Sequence, residues 1–189
     1  YQLTIEPGTA FGYRASAGKL TGLPNEDLSA DMFEFTDTTC ALAGLNSYEV
    51  SNFSSEGLES KHNLIYWMGG DYIGIGPGAH GRITSDNQRL ATKTILSPAA
   101  WLDTVHLKSS GELTPDILSK TDHANELIMM GLRLKGGISQ SRIEAMVGKK
   151  FNITTELTDL GLLDISDGFI RATNSGRALL NQVIQKLMF

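Results

Sequence analysis

The segment His62-Asn63-Leu64-Ile65-Tyr66-Trp67 holds the most unusual grouping of side chains in this 189-residue sequence. If helical, it places His62 and Tyr66 one turn apart on a single face. Leu64 and Trp67 add a flat apolar surround. An imidazole beside aromatic surface has the chemistry to ligate haem iron. The same residues also describe a histidine bonded to backbone and an aromatic pair packed in a core, and composition alone favours that structural reading.

A second candidate is Gly74-Ile75-Gly76-Pro77-Gly78-Ala79-His80-Gly81, which contains a G-x-G-x-x-G match at Gly76, Gly78 and Gly81. Dinucleotide binding needs such glycines to open a helix whose N-terminus faces the pyrophosphate. The residues that follow, Arg82 to Asn87, favour a hairpin instead, so that reading is rejected. No Gly-Lys-Ser/Thr follows, so a P-loop is excluded as well. What remains is a stretch where the backbone approaches something closely, either a ligand or a neighbouring strand.

Other groupings carry less. His106 and His123 lack the spacing of a ligand pair, and no nucleophile-elbow motif supports a Ser-His-Asp set. Glu6 after a strand has the position of a barrel-rim carboxylate, or of a turn cap. The single cysteine, Cys40, excludes an internal disulfide framework and a zinc site built on cysteine pairs, and it fits a reducing cytoplasm. A net charge of −5 argues against nucleic acid as a partner. No run approaches the ~20 apolar residues of a membrane helix. The first residue is Tyr1, and the opening residues alternate like a strand; the chain is expected to begin in the middle of a fold.

The elements that must position these residues are read from periodicity and turn chemistry. Gln2–Glu6 is expected as a strand ended by Pro7-Gly8, followed by a glycine-spaced loop to Pro24. Asn25 caps a helix with Leu28, Met32, Phe35, Thr39 and Leu42 on its apolar face, stopped at Gly44. Tyr48–Phe53 alternates as a second strand, giving a strand–helix–strand unit of an α/β sheet or barrel. Asp86-Asn87 predicts a hairpin, and Pro98 opens a short helix through His106. Helices follow over Asn125–Leu134, from the Ser139 cap to Val147, and over Thr154–Leu160. Leu162–Ile165 and Phe169–Thr173 flank the Asp167-Gly168 hairpin turn, and a last helix carries Leu179, Leu180, Val183, Ile184 and Leu187. The result is a mixed α/β segment over residues 1–110 and a small winged-helix-like domain over residues 111–189. In that domain the third helix would offer DNA only Glu156 and Asp159, so DNA binding is excluded.

Taken in order, four strings resemble one family: Tyr1-Gln2-Leu3-Thr4-Ile5-Glu6-Pro7-Gly8-Thr9, Tyr48-Glu49-Val50-Ser51-Asn52-Phe53, His62-Asn63-Leu64-Ile65-Tyr66-Trp67 and Gly74 through Gly81. They are similar to the second half of the radical-SAM proteins of the oxygen-independent coproporphyrinogen III oxidase (HemN) family. Met130-Gly131-Leu132-Arg133-Leu134 and Gly161-Leu162-Leu163 extend the likeness through the C-terminal domain. The His-Asn-x-x-Tyr-Trp string resembles the haem-chaperone (HemW-like) branch, since the oxidases lack it.

The resemblance implies part of a radical-SAM partial TIM-type barrel followed by a HemN C-terminal type domain. It implies a [4Fe–4S] cluster and S-adenosylmethionine (SAM) in the parent protein, held through a CxxxCxxC motif in the missing N-terminal half. Cys40 matches no cluster cysteine, so the chain alone is expected to be inactive as a radical-SAM oxidoreductase. Gly78, Ala79 and His80 are implied to lie against SAM, as is the loop at Ala10 and Phe11. His62 is implied to ligate haem iron, with Tyr66 and Trp67 lining the porphyrin. The function implied is a cytoplasmic haem-binding chaperone that passes haem to accepting proteins. The alternatives are an oxidase converting coproporphyrinogen III to protoporphyrinogen IX in porphyrin biosynthesis, and a non-enzymatic interaction domain.

Overall fold

The computed structural model describes residues 4–153 and 155–189, which form a mixed α/β chain of helices and small antiparallel sheets. Two compact units divide it, Tyr1–Glu59 and Ser60–Phe189.

The first unit carries two helices, α1 (Ala10–Ser16) and α2 (Glu26–Leu42), and a two-residue ladder between β1 (Asn46–Ser47) and β2 (Phe53–Ser54). Gln2 and Leu3 of the expected first strand lie outside the described residues, and Thr4–Glu6 join no strand. The expected loop to Pro24 is also corrected, because it contains α1. The Thr9 hydroxyl accepts from Gly12 N at 3.0 Å and donates to Glu6 O at 2.7 Å, which starts a helix in glycine-rich sequence. In α2 the expected cap is present: Asn25 Oδ1 accepts from Leu28 N at 2.8 Å. Glu26 and Asp27 complement the positive end of the helix.

The face of α2 differs from expectation. Phe35 is 72% exposed and Leu42 86%, while Ser29, Phe33 and Cys40 are the half-buried side. Among the described residues of this unit the buried side chains are Ser47 and Glu49, with no apolar one. Among the described residues of the unit, none buries the stripe that periodicity marks as core. Of the expected strand Tyr48–Phe53, only Phe53 is in a strand, at the start of β2; Tyr48–Asn52 are a loop closing β1 onto β2. The buried Glu49 carboxylate draws Ser51 N (3.1 Å) and Asn52 Nδ2 inward, which turns the chain.

The second unit begins with α3 (Lys61–Trp67), capped by Ser60. Next come β3 (His80–Ser85) and β4 (Gln88–Lys93), joined by Asp86 and Asn87 at φ 51° and 61°, the mirror-image turn that asparagine and aspartate favour. After α4 (Pro98–Lys108), β5 (Asp116–Leu118) adds to the free side of β4. The helix expected over Asn125–Leu134 is α5 (Lys120–Gly131), shifted upstream because Ser119 supplies its cap. Then follow β6 (Ile138–Ser139), α6 (Gln140–Val147), α7 (Thr155–Asp159), β7 (Leu163–Ser166) and β8 (Phe169–Ala172). Thr154 lies outside the described residues. The expected last helix is two, α8 (Asn174–Ala178) and α9 (Leu180–Leu187), broken at Leu179.

The third sheet runs β6-β8-β7, with Asp167 and Gly168 at φ 54° and 76° in the hairpin turn. Helices α5, α6 and α7 before this hairpin and α9 after it make the winged-helix-like order expected. Its core is Ala124, Leu127 and Ile128 of α5, Ile143 of α6, Ile170 of β8, and Leu180, Val183, Ile184 and Leu187 of α9. Leu179, expected in that stripe, is exposed because the helix breaks there.

Ile170 is fully buried, so Ile170→Ala should cost about 2–5 kcal/mol in urea unfolding of this domain. Phe35→Ala, on the exposed face of α2, should fall within about 0.5 kcal/mol. Equal losses at the two positions would contradict this placement of the core.

Candidate functional site

The sequence expectation for α3 is met in its geometry. His62 and Tyr66 sit one turn apart, with His62 Nε2 and the Tyr66 hydroxyl 3.0 Å from each other. Their rings meet edge-on, with centroids 4.8 Å apart and planes at 82°. Tyr66 in turn meets Tyr72 at 4.4 Å and 67°. His62 is exposed, Tyr66 and Trp67 half-buried. An imidazole thus stands in solvent at the free end of a row of aromatic rings. Tyr72 is the member that sequence reasoning missed: it lies off the helix, and no spacing rule joins it to Tyr66.

Tyr72 also leads into the glycine stretch, pairing with Arg82 through Tyr72 N–Arg82 O and Arg82 N–Tyr72 O, both 2.8 Å. Here the glycines serve tight packing. A Cβ on Gly81 would stand 2.5 Å from Thr92 Oγ1, and one on Gly78 2.9 Å from Leu96 Cδ1. The backbone donors are engaged too: Gly78 N donates to Ile95 O at 2.9 Å and Ala79 N to Thr94 Oγ1 at 2.8 Å. His80 opens β3 opposite Lys93, with its side chain exposed. A hairpin follows the glycines, not a helix, as the rejection of dinucleotide binding required. Ala10 and Phe11, expected in a loop, are the first residues of α1 and are exposed. The first unit holds a cavity of about 440 Å³, lined by Ile5, Leu23, Met32, Phe33, Val50 and Phe53.

Behind α3 lies a polar cluster drawn from β3, β4, α5 and α6. Arg82 pairs with Glu126 at 2.6 Å, and the almost fully buried Arg89 pairs with Asp71 and bonds Gly70 O at 2.7 Å. Arg142 donates to Met68 O at 2.6 Å. His123 sits among them with its Nε2 buried and unpartnered. Burial first, then the Arg89 and Arg142 charges, push this imidazole below its ordinary 6.5, with Glu126 and Asp71 opposing. The Thr84 backbone N–H, then its hydroxyl and Arg89, hold the Asp71 carboxyl below its usual range.

The chain's own residues do not fit a [4Fe–4S] cluster. Such a cluster needs three thiolates from the protein, and Cys40 is the one cysteine present. Among the described residues no group of three or more His, Cys, Asp or Glu side chains could hold a metal ion. No helix among them is long and apolar enough to cross a membrane.

Comparison with known proteins places this arrangement. Residues 118–179 match the HemN C-terminal domain family. Over its whole length the chain is 34% identical to radical S-adenosyl methionine domain-containing protein 1, mitochondrial, of Mus musculus, covering 45% of that protein. It is 34% identical over its whole length to the heme chaperone HemW of Lactococcus lactis, covering 49% of it. Against the heme chaperone HemW of Escherichia coli the identity is 32% over 98% of the chain, covering 48% of the relative. A solved structure described as "Coproporphyrinogen III oxidase (HemN) from Escherichia coli is a Radical SAM enzyme" superposes on 92% of the chain with a TM-score of 0.64. At 15% identity, and over 44% of that structure, this is a likeness of fold.

The chain is therefore similar to radical-SAM proteins of the HemN type, and residues 118–179, in its second unit, match the HemN C-terminal domain family. More particularly, it corresponds to the C-terminal half of the HemW and radical-SAM-domain-1 relatives, spanning about half the length of each.

Two outcomes follow. Reconstituted anaerobically with iron and sulfide, this chain should form no 5′-deoxyadenosine from SAM above a protein-free control. Product above that control would overturn the assignment of the cluster ligands outside this chain. The second outcome concerns His123. The unfolded chain takes up a proton near the ordinary imidazole value, 6.5, and the folded chain only at lower pH. Stability is thus fully present above about 6.5 and is lost as pH falls below it. The melting temperature should drop through that window, and His123→Gln should flatten the drop; an unaltered slope in the variant would exclude His123 as its source.

Proposed function

We propose that the chain is the C-terminal part of a radical-SAM protein that binds haem and passes it on, with His62 as a ligand to the haem iron. The observation that carries this reading is the exposed imidazole of His62 paired with Tyr66 on α3. It is supported by similarity along the chain to proteins named heme chaperones.

The chemistry is that of a neutral imidazole nitrogen donating its lone pair to iron. Nε2 lies within hydrogen-bond reach of Tyr66 in the haem-free chain. His62 would hold the iron through Nε2 in place of that hydrogen bond, with Tyr66 and Trp67 supplying the aromatic surface beside it. Gly78, Ala79, His80, Ala10 and Phe11 stand on this reading as the side of the chain facing SAM in the parent. With Gly78 N and Ala79 N already engaged, that contact would be made by carbonyls and by surface rather than by these N–H groups.

On this reading the barrel portion covers residues 1–110 and the C-terminal domain residues 111–189, which is supported by a family match that begins at residue 118. The exposed stripe of α2, together with the cavity beside it, is read as the seat of the N-terminal half that the longer relatives carry. Large apolar side chains left in water are otherwise an aggregation liability. The parent's compartment is taken as the cytoplasm, or the mitochondrion as in the relatives so named. Haem-accepting proteins are the downstream partners. The oxidase reading rests on fold likeness alone, and fold does not determine function; conversion of coproporphyrinogen III by the parent would support it.

Haem titration separates these readings. His62→Ala should change the haem absorption spectrum and weaken binding, whereas His106→Ala, at the end of α4, should do neither. Tyr66→Phe removes the competing hydrogen bond and should leave affinity unchanged or raise it a few-fold. An unchanged spectrum and affinity in His62→Ala would end the proposal.

A further inference from the structure

We infer that Arg142 of α6, assisted by Arg89 of β4, is a positioning residue for His62: the HemN C-terminal domain grips the far end of α3 and thereby fixes where the imidazole points. This inference rests on the haem reading of His62.

Helix α3 has seven residues, about 10 Å in length, and an isolated helix so short is unstable in water. Its form depends on what holds its ends. At the N-terminal end, next to His62, the Ser60 hydroxyl accepts from Asn63 N at 3.3 Å. The C-terminal end is closed by two backbone bonds. Met68 N donates to Leu64 O at 2.9 Å and Gly70 N to Ile65 O at 2.8 Å, which closes the last turn.

Three consecutive carbonyls are then left outside the helix, and two guanidinium groups take them. Arg142 Nη1 donates to Met68 O at 2.6 Å and Nη2 to Gly69 O at 3.4 Å. Arg89 Nη2 donates to Gly70 O at 2.7 Å and to Gly69 O at 3.3 Å. Both cations stand at the negative end of the helix, where charge of that sign is favourable.

The fit around this turn is close. Gly69 has φ +64°, and a Cβ there would meet Leu127 Cδ1 at 3.3 Å and Arg142 Nη2 at 3.4 Å. Leu127 belongs to the buried core of α5, against which α3 packs. Arg142 follows Ser139, the cap of α6, and its neighbour Ile143 is fully buried in the same core. Arg142 and Leu127 of the grip lie inside the matched family segment and Arg89 upstream of it, while the effect falls on a residue 80 positions before Arg142 (142 − 62). The helix is clamped at its C-terminal end by Arg142 and Arg89, and the His62 imidazole projects from the opposite end.

The test is a thermodynamic cycle on haem affinity in the intact protein, with wild type, Arg142→Met, His62→Ala and the double variant. Arg142→Met should weaken haem binding on the order of three- to tenfold. It should have no further effect in the His62→Ala background, because it acts through that side chain. Arg142→Lys, which keeps the charge and can reach one carbonyl, should recover part of the loss. Hydrogen exchange supplies a readout that needs no haem: Arg142→Met should speed exchange at Met68 N and Gly70 N while leaving the α5 amides protected.

Equal losses in the wild-type and His62→Ala backgrounds, or unchanged exchange at Met68 and Gly70, would overturn the inference. If His62→Ala alone leaves haem binding intact while exchange in Arg142→Met accelerates as stated, the haem reading fails and the grip on α3 stands.

Discussion

A backbone that leaves a helix must find partners for its last carbonyls, and here three of them, Met68, Gly69 and Gly70, converge on two arginines. The rest of the second unit is arranged around that meeting point. Arg89 reaches it because the Asp86-Asn87 turn holds β4 against β3, and because Asp71 and Thr84 occupy its other nitrogen. Arg142 reaches it because Ile143 anchors α6 in the apolar core beneath. Arg82, reaching from β3 to Glu126 of α5, braces the hairpin against the same domain. Of these arginines Arg89 is buried, Arg82 half-buried and Arg142 exposed, and the buried Arg89 charge is tolerable because Asp71 and the Gly69 and Gly70 carbonyls partner it. His123 completes the group, its imidazole held below the ordinary value by burial and then by the Arg89 charge.

The two units differ in what holds them. In the second, a continuous set of isoleucine, leucine and valine side chains from α5, α6, β8 and α9 is withdrawn from water, each contributing roughly 1.5–3 kcal/mol. In the first, the apolar side of α2 remains in solvent, and the buried groups are a serine and a glutamate. The second unit thus carries its own apolar core, and among the described residues the first does not.

What could be read in the sequence was chemistry local to a few residues. Asn25 and Ser139 as caps, Asp86-Asn87 and Asp167-Gly168 as turns, and His62 with Tyr66 at helical spacing all act within four residues, and all are present. The hairpin expected after the glycine stretch is present on the same ground. What was illegible depends on partners distant in the chain. Strands β5 and β6 exist only because Ile117 faces Leu90 and Ile138 faces Ile170. Helix α1 was hidden because Thr9 caps it amid glycines that read as loop. The face of α2 could not be judged from periodicity, which reports an apolar stripe without reporting whether anything covers it. Tyr72 and Arg142 join the site from outside α3, and no motif spacing would have placed them there.

The central claim is that His62 donates a nitrogen to haem iron. Its most direct test is electron–nuclear double resonance on ferric haem bound to the intact protein with isotopically labelled histidine. The account predicts a nitrogen coupling from one axial imidazole that disappears in His62→Gln and persists in His106→Gln. A spectrum without histidine coupling, or one whose coupling survives His62→Gln, would contradict it.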